Sequence, residues 1–267
     1  MRVLTGTWDL GLGYKIDENI GECSTDGECN PFLFGTEARV DIPFTQNLSL
    51  QLDFGGEMVF AGDNLSSSSE WVGGAQAGAH LNYREVDRYL FGGFAGFGKR
   101  FQGDYSDETN HVFGGLEGQH YLGNTTLYWQ GGAQFADSVD GYEFDNAWFV
   151  RGVGRHFFNA GRTKLEGELS YASGDSDGDG ATVWGVGAEI EHQIHTFGGN
   201  SGLASLFGRY EGTFANVDSV NIDNHRLYVG IKLTANQDNL LTRDRMGDTL
   251  DLPNFVAWGA AVCVEQC

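Results

Sequence analysis

Proline is nearly absent from this chain: Pro31, Pro43 and Pro253 are the only three in 267 residues. That leaves no material for a Pro-rich linker and few breaks in extended backbone. Long apolar runs are missing too. No stretch approaches the roughly 18 consecutive apolar residues of a membrane-crossing helix, and the mean hydropathy is negative. An α-helical membrane protein is excluded on that ground. A β-barrel is not, because only alternate residues of a barrel strand face lipid. Positive charge is scarce, with 16 Lys and Arg against 37 Asp and Glu and a formal charge of −21. A nucleic-acid surface needs clustered basic residues, so nucleic acid is not an expected partner. No secretory signal segment is visible, and strand-like alternation starts within a few residues of Met1. An exported protein needs such a segment, so the sequence is taken as the processed chain.

Cysteine is also sparse. The four fall into two close pairs, Cys23/Cys29 and Cys263/Cys267. Close even pairing fits local disulfides Cys23–Cys29 and Cys263–Cys267 formed in an oxidising compartment. Zinc is the competing reading, although no His is grouped with either pair and neither has a two-residue spacing.

Glycine is plentiful at 41 residues and aromatics make up 13%. The dominant signal is an alternation with a period of two. A first strand sets Trp8, Leu10, Leu12, Tyr14 and Ile16 against Asp9, Gly11, Gly13 and Lys15. A second sets Ala38, Val40, Ile42 and Phe44 against Glu37, Arg39 and Asp41. A third, from Leu48 to Phe60, sets aliphatics against Gln51, Asp53 and Glu57, and a fourth spans Trp71 to Arg84. Eight more are expected near 89–101, 111–122, 125–135, 147–158, 162–172, 183–196, 203–214 and 225–234. The fifth, sixth and eighth are ambiguous, because Phe94, Phe113 and Phe149 stand where polar residues are expected.

The connections alternate in length. Those after even-numbered strands are short, such as Thr45-Gln46-Asn47 and Gly123-Asn124. Those after odd-numbered strands are long and polar, near 17–32, 61–70, 102–110, 136–146, 172–182 and 215–224. Aromatics such as Trp8, Phe44, Trp71, Tyr83, Trp148, Tyr171 and Trp184 lie near strand ends, where their amphipathic rings suit a membrane interface. On these features residues 5–234 resemble the broad porin-like class of Gram-negative outer-membrane barrels. The resemblance is one of pattern and names no substrate. It implies an all-β fold: a closed antiparallel up-and-down transmembrane β-barrel of about 12 strands over residues 1–234, with a C-terminal extension over 235–267. It also implies a Gram-negative outer membrane with lipid as the barrel's surroundings, both termini periplasmic and the long acidic loops extracellular. A soluble β-protein, its apolar face covered by a second sheet, is the alternative.

The polar faces carry charges of both signs. On the expected lumen side they include Glu37, Arg39, Asp53, Glu57 and Arg84 in the first four strands. Arg100, Glu117, Arg151 and Arg155 follow in the middle of the chain. Glu189, Glu191, Arg209, Glu211 and Arg226 complete the set of expected pore-lining residues. Such charges also cross-link a barrel interior, and an unpaired one would be costly to desolvate. The six long connections are single-signed, holding 19 Asp and Glu and no Lys or Arg. A vestibule of one sign concentrates cations, so conductance is expected to be cation-selective. Ca²⁺ or Mg²⁺ at the acidic outer loops is the one cofactor expectation. Within them Asp175, Asp177 and Asp179 precede Gly180 at alternate positions, like the first half of an EF-hand loop. The twelfth position of that motif is Val186 instead of Glu, so the full motif is absent.

After Leu233 the alternation stops. Residues 237–251 are polar, with Arg243 and Arg245, and 252–264 are apolar, with Phe255 and Trp258. This tail is expected to fill the lumen, cap the periplasmic mouth, or dock a partner protein. No enzyme is expected. None of the seven histidines has Ser two residues later, the spacing of lipid-facing barrel hydrolases, and neither a Gly-x-Ser-x-Gly elbow nor a His-Glu-x-x-His motif occurs. The expectation is a narrow channel for small hydrophilic solutes or ions. A closed anchoring barrel that binds a partner through loops or tail is the runner-up.

Overall fold

The computed structural model describes residues 2–17, 32–61, 70–102, 109–137, 144–176, 179–198, 202–218, 220–255 and 257–258. Twelve strands follow one another: β1 (Thr5–Asp17), β2 (Phe32–Pro43), β3 (Leu48–Ala61), β4 (Glu70–Glu85), β5 (Tyr89–Gln102) and β6 (Thr109–Leu122). Then come β7 (Thr125–Ala136), β8 (Asp145–Phe158), β9 (Thr163–Ser176), β10 (Asp179–Phe197), β11 (Gly202–Val217) and β12 (Val220–Ala235), and last a short helix α1 (Leu240–Met246). Each strand pairs antiparallel with its chain neighbours, and β1 closes the barrel against β12, with Gly6 opposite Ala235 and Leu12 opposite Val229. Closure leaves no free sheet edge, as a bilayer requires.

The alternation decides the faces. Leu12, Phe54, Leu81, Phe97, Leu116, Ile190 and Val229 point outward and are exposed, Val229 by 68%. Gln51, His80, Arg84, Glu117 and Glu191 point inward and are fully buried. An apolar outside around a charged inside inverts the soluble pattern and matches a lipid-facing wall. Trp148, Tyr171 and Trp184 form an aromatic group near the long-loop end, with ring centroids 5.3 and 4.7 Å apart.

All twelve expected strands are present, but several reach further than the alternation predicts. β2 begins at Phe32, β9 runs to Ser176, β10 starts at Asp179, β11 ends at Val217 and β12 starts at Val220. The loops expected at 172–182 and 215–224 are therefore mostly strand, with residues 177–178 and 218–219 between the paired ends. The cause is that ladder hydrogen bonds do not depend on hydropathy. Beyond the lipid both faces of a strand can be polar, and Asn216 Nδ2 there donates across the ladder to Asn221 Oδ1 at 2.8 Å.

Both ends of the barrel, Thr5 and Ala235, lie at the short-turn end, as an even strand count dictates. Of the courses open to the tail, the described residues follow the one across the mouth and into the lumen. Asn236 takes a left-handed φ of 58° and turns the backbone inward. α1 is capped by Asn239, whose Oδ1 accepts the Thr242 N–H at 2.8 Å. The helix lies across the short-turn mouth, where Arg245 Nη2 donates to the Gly123 carbonyl at 2.7 Å. Gly161 (φ +83°) packs beneath it, where a Cβ would meet Leu241 at 2.8 Å. From Gly247 the chain runs up the lumen to Trp258, which packs among residues near the long-loop ends of β8 and β10.

Candidate functional site

The lumen and the tail inside it form the site. Leu250 enters first, buried beside Leu90, Tyr121, Tyr128 and Val153, and its carbonyl accepts from Gln51 Nε2 at 2.7 Å. Asp251 comes next. Its Oδ1 meets Arg39 Nη1 at 2.5 Å, and its Oδ2 meets Arg155 Nη2 at 2.5 Å and Arg151 Nη2 at 3.8 Å. Gln130 Nε2 donates to the Asp251 carbonyl at 2.8 Å. Leu252 passes over Gly78, where a Cβ would lie 2.7 Å from its Cδ2, so the missing side chain makes room for the tail. Gln76 Nε2 then donates to the Pro253 carbonyl at 3.0 Å.

Above this polar grip the contacts turn apolar. The Phe255 ring lies 4.6 Å from Phe113, 5.2 Å from Phe149 and 5.1 Å from Trp258. Phe94, Phe113 and Phe149 thus face the lumen after all, and they do so because they receive the tail's two aromatic side chains. At the mouth, α1 contributes Arg243, which holds Glu191 through two hydrogen bonds of 2.6 and 2.8 Å. Arg2 pairs with Asp41 at 2.5 Å. Burial, then the nearby Arg84, lower its pKa, and Asp41 opposes them.

The fourteen expected pore-lining residues lie on the lumen face, but most are engaged with a neighbour. Glu37 pairs with Arg39, Glu57 with Arg226 at 2.5 Å, and Arg209 with Glu189 at 2.8 Å and Glu211 at 3.5 Å. Arg151 pairs with Glu168 at 2.6 Å and Arg155 with Glu166 at 2.8 Å. His80 bridges Asp53 at 3.1 Å and Glu117 at 2.8 Å. Arg100 shares the lumen face by strand parity. Arg84 is fully buried, and its guanidinium has no hydrogen-bond partner among the described residues. Ionic ladders of this kind brace the wall.

The tail does not fill the lumen. A cavity of about 120 Å³ lies between it and the wall from β8 through β12 to β2, bounded by Arg39, Arg155, Glu189, Arg209 and Asp251. A second of about 80 Å³ adjoins it and shares Asp9, Glu37, Arg209 and Glu211.

Other expectations fall elsewhere. Asp175 is on β9 and Asp179 on β10, while Asp177 lies outside the described residues, as do Cys23, Cys29, Cys263 and Cys267. Among the described residues no three His, Cys, Asp or Glu side chains gather to hold a metal. Sequence reasoning passed over Lys164, Glu166 and Glu168, which link the wall's charges. The run Lys164-Leu165-Glu166-Gly167-Glu168 carries the same alternation and is the signal that would have found them. It also passed over Tyr128, whose hydroxyl donates to Glu117 at 2.8 Å, because a tyrosine reads as apolar in such patterns.

No family model matches the sequence, nor does any curated protein. Solved structures do match. An outer membrane channel from Pseudomonas putida F1 aligns over 88% of this chain and 95% of its own, at 13% identity and a TM-score of 0.55. The KdgM porin aligns over 84% and 97%, at 13% identity and a TM-score of 0.46. The β domain of the Bordetella autotransporter BrkA aligns over 86% and 99%, at 14% identity and a TM-score of 0.48. Identities this low speak to fold alone, and the match to the Pseudomonas channel, with the closed, apolar-faced wall, gives this chain the fold of the outer-membrane β-barrel proteins.

Proposed function

We propose that this protein is an outer-membrane channel for small hydrophilic solutes or ions, held shut by its own C-terminal segment, residues 240–258. The observation that carries the reading is the course of that segment through a charged lumen beside a polar cavity of about 120 Å³. A barrel meant only to anchor has no need of open polar volume along its axis, and a filled core is the stable alternative. The apolar exterior supports a Gram-negative outer-membrane setting, and the reading has the acidic connections facing outward. The described part of the tail is committed to the lumen, which leaves the channel reading ahead of partner docking. No catalysis is part of the proposal.

The 19 loop carboxylates would concentrate cations at the outer mouth, so the open pore prefers cations among small ions. Planar-bilayer currents of the full-length protein and of a tail-weakened variant, Arg243→Ala, test both points. Rare brief steps from the full-length protein and frequent steps from the variant are expected, with a cation-selective reversal potential in a salt gradient. Equal silence from both would sink the channel reading, and an anion-selective potential would sink the cation preference.

A further inference from the structure

The grip on Asp251 has the geometry of a receptor. Arg39 from β2 and Arg155 from β8 each take one carboxylate oxygen at 2.5 Å, and Arg151 stands 3.8 Å from the second. Gln130 donates to the backbone carbonyl beside that carboxylate. All four groups belong to the barrel wall and none to the tail. The arginines also keep wall partners of their own, Glu37, Glu166 and Glu168. They therefore stay in place when Asp251 leaves. A preset array of guanidinium donors is the arrangement that recognises a carboxylate, through charge-assisted hydrogen bonds that Lys would give less directionally. The site also opens on the larger cavity, which Arg39, Arg151, Arg155 and Asp251 all border.

Building on the channel reading, we propose that Arg39, Arg151 and Arg155 form the carboxylate-binding station of the open pore, and that Asp251 is a tethered stand-in for the carboxylate of a small solute. A solute arriving through the cavity competes with Asp251 for the same nitrogens. Solute binding and tail release are then linked, since a ligand that binds only the released state shifts the population toward it. Tethering gives Asp251 an effective concentration on the order of millimolar, so solutes act in that range. The acidic connections repel polyanions, which narrows the class to compact molecules bearing one or two carboxylates.

The test records planar-bilayer currents from the full chain carrying Asp251→Ala, which empties the station without shortening the tail. Glutarate is the probe, and glutaramide is its uncharged analogue. Glutarate is expected to interrupt the current saturably, at a concentration about tenfold or more below glutaramide. Adding Arg155→Gln should raise that concentration by about tenfold, the loss of one charge-assisted contact. Heat-modifiable gel migration reports whether this double variant folds, and Arg39→Gln takes its place if it does not. Current steps with no preference for glutarate overturn the carboxylate station and leave the channel standing. Absence of current from both Asp251→Ala and Phe255→Ala overturns the channel reading and this inference with it.

Discussion

Phe255→Ala is the sharpest perturbation of the tail, because it touches the plug and spares every wall residue. The ring is almost fully buried, with 2% exposure, and lies within 4.6–5.2 Å of three other aromatic rings. Truncating a buried Phe costs about 3–5 kcal/mol when the hole cannot collapse. Here the neighbouring Ala257 and Trp258 border a cavity into which the tail can relax, so the lower end applies, about 3 kcal/mol. At about 1.4 kcal/mol per factor of ten, the ratio of released to docked tail rises roughly a hundredfold. Single-channel recording reads that ratio as open probability. Val229→Ala, on the lipid face at 68% exposure, is the control and should leave it unchanged. If Phe255→Ala and Val229→Ala give the same open probability, the aromatic contacts do not hold the pore shut and the gating reasoning is wrong.

Arg243→Ala leaves buried Glu191 without its two-hydrogen-bond partner, a loss of about 2–5 kcal/mol of tail docking. Adding Glu191→Gln should recover part of it, and a double-mutant cycle on open probability measures the coupling. Gly78→Ala puts a Cβ 2.7 Å from Leu252; open probability should rise, and Leu252→Ala in the same chain should bring it back. On the outside, Leu227→Arg places a charge in mid-strand against lipid, which costs about 2–4 kcal/mol near the bilayer centre. Folding into vesicles followed by denaturant titration would register it, and an unchanged midpoint would speak against the lipid-facing assignment.

The barrel was legible because a strand's side chains alternate strictly, so Leu227, Val229, Ile231 and Leu233 declare a face whatever surrounds them. Strand ends were less legible. Residues such as Asp175 and Asn221 look like loop formers, and the ladder that holds them is set by the neighbouring strand. The lumen charges were found by parity, but their partners were not, since Arg155 meets Asp251 across 96 residues of sequence. The tail's place was hardest to read. Nothing in Asp251 or Phe255 alone points inward. The hint lay in the misplaced Phe94, Phe113 and Phe149, three apolar residues on a polar face that needed an apolar guest.

The order of segments along the chain bears on how the molecule is assembled. The strand that seals the wall, β12, comes just before the segment that occupies its interior, and its partner β1 begins more than 200 residues earlier. Pairing so distant in sequence is slow, which leaves an interval in which the twelve strands form a curved, open sheet. During that interval the tail can settle along β4 to β8, and Arg39 and Arg155 can exchange water for Asp251 before the wall closes. Sealing the seam first would demand threading the segment that follows α1, with its two aromatic side chains, into a finished ring. The late position of the tail favours the first route, in which the interior is furnished while one side still stands open.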